Sequence, residues 1–241
     1  MTENVTAGEA VQPERRSFRR VVEPGEWHLL QKCDNRFGQQ WCIGIYIRIT
    51  EVIDMEINYK SRRGFYMSET MKTIRTRRSI RKFQEKMPER ELIDRVIEAG
   101  TYAATGMGRQ SPIIVAVLNK EVRDKLSRMN AEIMGAAEGM DPFYGAPVVL
   151  IVLADKAMPT HVYDGSLVMG NLMLAARDAG LGSCWIHRAK EEFESEEGKA
   201  LLKSLGITGD YEGIGHCVLG YVDGDEPEAA PRKDDYVYYV E

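Results

Sequence analysis

The sequence has few cysteines and no long apolar run. The four cysteines, Cys33, Cys42, Cys184 and Cys217, form no Cys-x-x-Cys pair, which argues against a small disulfide-stabilised secreted fold and predicts reduced thiols. No stretch approaches the roughly 20 consecutive apolar residues that cross a bilayer, and the N-terminus lacks a signal-peptide pattern. The net charge of -5 gives no indication of a nucleic-acid partner. We therefore expect a cytoplasmic protein with no nucleic-acid partner and no membrane attachment.

Several common site motifs are also missing. The segments starting at Gly180 and Gly213 begin like a dinucleotide fingerprint, but both lack the third glycine and run into a predicted strand rather than a helix. There is no P-loop and no Gly-x-Ser-x-Gly elbow, which disfavours phosphoryl transfer of the P-loop kind and serine hydrolysis. A zinc site is disfavoured because Cys184 and His187 would point to opposite faces of a strand. Core packing is the simpler interpretation of these cysteines.

The pattern of apolar and polar residues changes near Met67. Residues 1–66 contain one clear apolar run, residues 41–49, which predicts a single strand. We interpret residues 1–66 as an N-terminal extension of unknown role, with a small accessory segment as the alternative. The composition of the whole chain, 44% hydrophobic and 29% charged, is typical of a globular protein. Residues 67–241 are predicted to form its main domain, because the regular helix and strand patterns lie in this part of the sequence.

Regular patterns begin at Met71. Short β-branched apolar runs predict buried strands, and apolar residues at helical spacing predict helices. Helices are predicted at residues 71–79, 88–103, 120–137, 164–179 and 196–205, and strands at 113–118, 147–153, 182–187, 216–222 and 236–240. Because the two kinds of element are interspersed, the fold class is α/β or α+β.

The predicted helix at 164–179 is apolar on almost every side. Between residues 167 and 176 only Gly170 and Asn171 interrupt the apolar residues. Such a helix must be covered from all directions. A second subunit would cover it most easily in a domain of this size, so a homodimer is favoured over a central helix buried within a monomer.

Two basic clusters stand near the two ends of the main domain. Arg77, Arg78 and Arg81 are spaced so that one helical turn would bring their guanidinium groups together, with Ser79 adding a hydroxyl. Such a cluster suits a phosphate or a carboxylate. The alternative, for this cluster and for the pair Arg232-Lys233, is a solvated basic face.

Together these segments resemble, in order, the motifs of the FMN-dependent nitroreductase family, from about residue 73 to residue 241. The resemblance implies an α+β fold of three layers, with a mixed central sheet flanked by helices, in an intertwined homodimer. FMN is the implied cofactor, and NADH or NADPH the electron donor.

The resemblance also implies the residues that bind FMN. Arg77, Arg78 and Ser79 would hold the phosphate and ribityl chain. Arg81 would lie at the pyrimidine edge, where a positive charge favours the reduced ring. The other implied contacts are a loop supplied by the partner subunit (Thr105, Gly106, Met107 and Gly108), an amide contact to the ring (Asn130), the strand beside the ring (Trp185, Ile186, His187 and Arg188) and the second half of the phosphate clamp (Arg232 and Lys233).

The loop departs from the family pattern at two places. Gly108 stands where the family has Asn, and Ser111-Pro112 stands where it has Pro-Trp. The resemblance implies hydride transfer from the nicotinamide through FMN to a small acceptor such as a nitroaromatic or a quinone, with no catalytic side chain. A non-catalytic FMN-binding or storage protein, and a relative that catalyses dehalogenation or flavin fragmentation, are the alternative hypotheses.

Overall fold

A computed structural model of the chain describes residues 67–241. The strand predicted at residues 41–49 lies outside this part of the chain, and the division of the chain at Met67 stays a prediction. None of the helices in residues 67–241 has the length and apolar character needed to span a membrane.

Residues 67–241 contain six helices and four strands. The helices are α1 (Glu69–Thr76), α2 (Arg90–Thr101), α3 (Lys120–Met134), α4 (His161–Asp178), α5 (Ala189–Glu194) and α6 (Glu196–Ser204). The strands are β1 (Pro112–Val117), β2 (Val148–Asp155), β3 (Gly182–Ile186) and β4 (Tyr211–Gly220). Short 3₁₀ turns occupy Gly106–Gly108 and Asp234–Tyr236.

The four strands form one sheet in the order β1-β2-β4-β3. Residues 148–154 of β2 are fully buried, because helices pack on both faces of the sheet. Leu126, Phe193 and Leu202 cover one face from α3, α5 and α6. Ile93 and Leu172 cover the other from α2 and α4. This arrangement confirms the three-layer α+β prediction.

The expected mixed sheet needs correction. All three strand pairs are antiparallel, and parallel pairing within residues 67–241 is limited to a single bridge between Ser79 and Ser183. The same bridge explains why α1 ends at Thr76 rather than at Ser79. Arg77 is extended, and the Ile80 N–H donates to the Ser183 carbonyl at 2.9 Å. The edge strand β3 thus supplies hydrogen-bond partners to the backbone of residues 79–80, which replace those of a helix. The prediction that a helical turn brings the arginines together is wrong.

Other elements also differ from the predictions. Strand β4 begins at Tyr211 instead of residue 216, and helix α4 begins at His161 instead of residue 164. Helix α2 begins at Arg90 instead of Pro88. Helix α5 was not predicted, since six residues are too few to show a helical period. The predicted strand at 236–240 is wrong: no strand in the described part of the chain pairs with it, and its side chains are exposed.

Within residues 67–241, helix α4 is covered on one side only. Val168, Met169 and Leu172 are buried against the sheet and α2, and Gly165 permits close contact, since a Cβ there would lie 2.5 Å from Ile214 Cγ1. On the opposite side, Leu167 is 51% exposed. The prediction that α4 needs cover from every direction is thus only half satisfied by residues 67–241.

Candidate functional site

A cleft of about 610 Å³ lies between the end of α1 and the C-terminal segment. Its lining residues are Ile74, Arg75, Arg77, Arg78, Ser79, Glu228, Ala229, Ala230 and Arg232. Four arginines therefore face one carboxylate, and the cleft will attract anions. Arg77 and Arg78 of the first basic cluster and Arg232 of the second, from opposite ends of the domain sequence, are brought together here.

Arg78 is the most constrained cation of this cleft. Its Nη1 donates to the carbonyls of Arg75 and Arg77, both at 2.8 Å. Its Nε is buried and has no hydrogen-bond partner among the described residues. Because buried donors are nearly always paired, this nitrogen is available to an oxygen of a bound phosphate or carboxylate.

The C-terminal side of the cleft is held by contacts with the body of the domain. Arg177, in the last turn of α4, donates from Nε to Thr76 Oγ1 at 3.2 Å and forms an ion pair with Glu226. Arg232 is exposed and donates to the Ala230 carbonyl at 2.7 Å. Lys233 does not line the cleft; its ammonium lies 3.6 Å from a carboxylate oxygen of Asp235. Of the predicted second half of the clamp, Arg232 alone is brought to Arg77.

Strand β3 begins beside this cleft and extends away from it for about 16 Å at ~3.3 Å per residue. Burial raises the pKa of the Cys184 thiol, while the positive charges of Arg81 and Arg77 oppose that rise. Arg81 itself is exposed.

The far end of β3 carries four of the predicted ring contacts. Trp185 is half-buried over Gly215, where a Cβ would lie 2.3 Å from the indole Nε1. Ile186 is buried in the core, so it offers a ligand its backbone only. His187 is exposed and Arg188 half-buried.

The predicted ring contact of Asn130 needs correction. This side chain is fully buried, and its amide nitrogen donates to the His187 carbonyl at 2.9 Å and to Glu192 Oε1 at 2.5 Å. Its oxygen accepts a hydrogen bond from Arg188 Nε at 2.9 Å. Because α3 directs the amide inward and protein partners occupy it, Asn130 acts on the neighbouring turn rather than on a ligand.

The predicted loop contacts form a tight arch, residues 105–110, between α2 and β1. The Thr105 hydroxyl oxygen accepts a hydrogen bond from the Gln110 N–H at 3.1 Å, which closes the arch at its base. Met107, Gly108 and Gln110 have φ values of 53°, 66° and 50°, in the left-handed region. At Gly106 a Cβ would lie 2.2 Å from Thr160 Oγ1, so any larger residue would have to displace the Thr160 side chain. The Met107 side chain at the top is 81% exposed.

A buried carboxylate anchors this arch. Asp164 Oδ1 accepts from the Gly106 N–H at 3.0 Å, and Oδ2 accepts from Ser111 Oγ at 3.0 Å and Thr160 Oγ1 at 3.1 Å. The sequence signal was a lone acidic residue at the start of an otherwise apolar helix. A single acidic residue at this position is consistent with a helix start and does not predict an anchoring role.

Asp164→Ala is expected to free the arch without unfolding the domain. Hydrogen bonds to a buried carboxylate contribute about 1.5–3 kcal/mol each, so exchange of the Gly106 amide should accelerate roughly 10- to 100-fold. Hydrogen exchange read by mass spectrometry would measure it. Asp178→Ala, at the exposed end of the same helix, is the control. Unchanged exchange at Gly106 would refute the anchoring role.

The arch and the cleft lie at opposite ends of the domain. Asp164 and Arg177 are 13 residues apart on α4, about 20 Å at ~1.5 Å per residue. The arch also precedes β1, one edge strand, whereas the cleft adjoins β3, the other edge strand. Within one chain, therefore, a single small ligand cannot contact both.

Fold and cleft together define an α+β domain with an arginine-rich anion site at one edge of its sheet. A family model described as "Nitroreductase family" matches residues 74–221. The chain belongs to this family of oxidoreductases, which confirms the resemblance of the sequence motifs.

Individual relatives agree with this assignment. A protein of Archaeoglobus fulgidus that carries the name of an NADH dehydrogenase/NAD(P)H nitroreductase is 31% identical over 160 residues, covering 64% of this chain and 86% of the relative. The FMN-bound nitroreductase of Bacteroides fragilis is similar over 73% of this chain and 100% of its own, with 27% identity and a TM-score of 0.66. The FMN-bound nitroreductase of Desulfitobacterium hafniense has 28% identity, the same coverage and the same TM-score.

Proposed function

We propose that this chain is an FMN-dependent oxidoreductase that passes hydride equivalents from NADH or NADPH to a small oxidised acceptor, such as a nitroaromatic or a quinone. The observation that carries the proposal is the cleft, whose lining includes Arg232 and Arg78, the latter with a buried Nε that has no hydrogen-bond partner within residues 67–241. A phosphate dianion matches this donor set.

The residues of the cleft and of β3 fit FMN. Arg77, Arg78 and Arg232 would hold its phosphate, and Ser79 would add a hydroxyl donor. When bound, FMN supplies the redox chemistry by accepting hydride from a reduced nicotinamide and passing electrons to the acceptor. The protein then needs to bind, orient and shield the ring. Arg81 would contribute positive charge beside it.

The cofactor site would be completed by a second copy of the chain. An apolar stripe on the uncovered side of α4 supports this proposal: Tyr163 and Leu167 are 73% and 51% exposed, and Leu174 follows at helical spacing. Gly170 lies at its centre, where a Cβ would meet nothing. A twofold axis near Gly170 would pair two α4 helices antiparallel, so the arch of each copy would approach the cleft of the other.

The departures from the family loop bear on the acceptor. Ser111 Oγ is engaged by Asp164, and Gly108 adds no side chain to the arch. The one large apolar side chain of the arch is Met107, which is flexible and would be able to cover the ring and its acceptor. A site of this kind favours flat apolar acceptors of varied shape.

Anaerobic stopped-flow mixing of the FMN-loaded protein with NADH or NADPH tests the proposal. Rapid bleaching of the visible flavin absorbance, followed by recovery on adding a quinone or a nitroaromatic, is expected. Bound flavin that neither nicotinamide bleaches would favour the storage protein. Bleaching without recovery by either acceptor would favour a relative with other flavin chemistry. A protein that binds no FMN would overturn the proposal.

A further inference from the structure

Four polar side chains form a continuous chain of hydrogen bonds behind the turn that follows β3. Arg188 Nε donates to Asn130 Oδ1 at 2.9 Å, and Asn130 Nδ2 donates to Glu192 Oε1 at 2.5 Å. The other carboxylate oxygen of Glu192 lies 2.9 Å from His216 Nε2. Asn130, Glu192 and His216 are each 0% exposed and come from α3, α5 and β4. We name Asn130, Glu192 and His216 together the brace.

Stability alone is a poor explanation for the brace. Withdrawing a carboxylate and an imidazole from water is costly, and well-packed apolar side chains would often be equally or more stabilising. The other nitrogen of His216, Nδ1, is buried and has no partner among residues 67–241, which adds to the cost. The brace therefore needs a second reason, and its hydrogen bonds indicate where that reason lies.

At its Asn130 end, this chain of hydrogen bonds reaches the turn at His187 and Arg188. Asn130 Nδ2 also donates to the His187 carbonyl at 2.9 Å. Arg188 has φ 75° and ψ 8°, the left-handed conformation, which costs a non-glycine residue roughly 1–2 kcal/mol. Such a conformation persists only where the surroundings impose it. Here Asn130 stabilises the left-handed conformation, because it forms hydrogen bonds both to the backbone carbonyl that precedes Arg188 and to the Arg188 side chain.

The hydrogen bond to Asn130 leaves the two terminal nitrogens of the Arg188 guanidinium available. Within residues 67–241 its Nε has a hydrogen-bond partner, while the two terminal nitrogens have none. A guanidinium fixed through Nε is also fixed in its plane, so the terminal N–H groups have a set direction. A surface arginine without such a partner would move among many rotamers.

We propose that Asn130, braced by Glu192 and His216, is a positioning residue that fixes the Arg188 guanidinium toward the flavin ring at the far end of β3. The inference rests on the proposed FMN function. A cation held there would favour reduced FMN, which carries more negative charge than oxidised FMN. The cleft and the brace would thus supply positive charge at opposite ends of one strand.

The first test needs no FMN. In apoprotein labelled with ¹⁵N-arginine, the Nε–H of Arg188, assigned by its loss in Arg188→Met, should exchange slowly with water, by at least tenfold relative to an exposed arginine. Asn130→Ala should abolish this protection. Where that variant fails to fold, Glu192→Gln, which keeps the shape of the side chain, should weaken it. Fast exchange of Arg188 Nε–H in the unmodified protein would overturn the inference.

The second test measures the ratio of the dissociation constants for oxidised and reduced FMN, through the flavin potential. Arg188→Met should shift this ratio about tenfold toward oxidised FMN, which is about 30 mV for a two-electron couple. Asn130→Ala or Glu192→Gln should shift it in the same direction and add nothing in the Arg188→Met background. Lys190→Met removes a cation from the same helix, one paired with Glu212 at 2.6 Å, and should leave the ratio unchanged.

The outcomes separate the two proposals. Additive shifts, or an unchanged ratio in Asn130→Ala and Glu192→Gln together with an ordinary loss of thermal stability, would make the brace merely structural and overturn the inference alone. A chain that binds no FMN at all would overturn the proposed function as well, although the slow Arg188 Nε–H would still be detected.

Discussion

Arg232→Ala is expected to weaken FMN binding roughly 10- to 100-fold while leaving the rate at which NADH reduces the bound flavin within about twofold of the unmodified protein. Arg232 lines the cleft that would hold the phosphate, so its loss would remove a charge-assisted contact to a group that does not react. Titration of apoprotein with FMN, followed by stopped-flow reduction at saturating FMN, separates binding from rate.

Two variants make this expectation specific. Lys233→Ala removes the neighbouring cation, which is paired with Asp235 outside the cleft, and should leave FMN affinity nearly unchanged. Arg81→Ala should do the reverse of Arg232→Ala, lowering the rate of flavin reduction more than FMN occupancy, because Arg81 would act on the ring. Equal effects of Arg81→Ala and Arg232→Ala in both assays would contradict this division of roles.

The parts of the fold that the sequence predicted well are those decided by local composition. Strand β2 is a continuous apolar run, and its complete burial between two helical layers leaves little choice of structure. Helix α3 likewise begins where the Asn119 side chain caps it, accepting from the Val122 N–H at 3.0 Å, and ends at Gly135 with φ 67°. Signals of this kind lie within a few residues of the element that they specify.

The parts that the sequence predicted poorly depend on distant partners. Ser79 left the helix because it pairs with Ser183, about a hundred residues later in the chain. Asn130 has the right residue type for a ring contact, but Glu192 and His216 decide that it faces inward. No spacing rule finds such a network, because its members come from three elements whose arrangement is known only in the fold.

The family motifs gave information of a different kind about the candidate site. They predicted that Arg77 and Arg232 bind one ligand, and both residues line the cleft, whereas the helical spacing predicted for the first cluster was wrong. A motif records which residues a fold assembles, whereas local periodicity records only the element that contains them. This difference is why Arg75 and Glu228, outside the motif, were missed.

Mixed dimers should decide whether the arch and the cleft of one site come from different subunits. One chain would carry Asp164→Ala, which releases the arch, and the other Arg78→Ala with Arg232→Ala, which weakens the cleft. Two different affinity tags would allow the mixed dimer to be isolated. Each parental dimer should have less than about a tenth of the activity of the unmodified protein at limiting FMN, because misplacement or loss of one contact is costly in a preorganised site.

If the site is shared between subunits, the mixed dimer has one site with an intact arch and an intact cleft, and one with both defects. About half of the activity per dimer and one tightly bound FMN per dimer should return. If each chain builds its own site, both sites stay defective and activity stays at the parental level. A dimer of Asp164→Ala with the unmodified chain has one intact site in either arrangement and controls for the mixing. We expect a shared site because of the length of α4. Asp164 and Arg177 are roughly 20 Å apart on this helix, which is too far for one cofactor to span within a chain. Two antiparallel copies of α4 that cross near Gly170 would bring the Asp164 end of one copy close to the Arg177 end of the other.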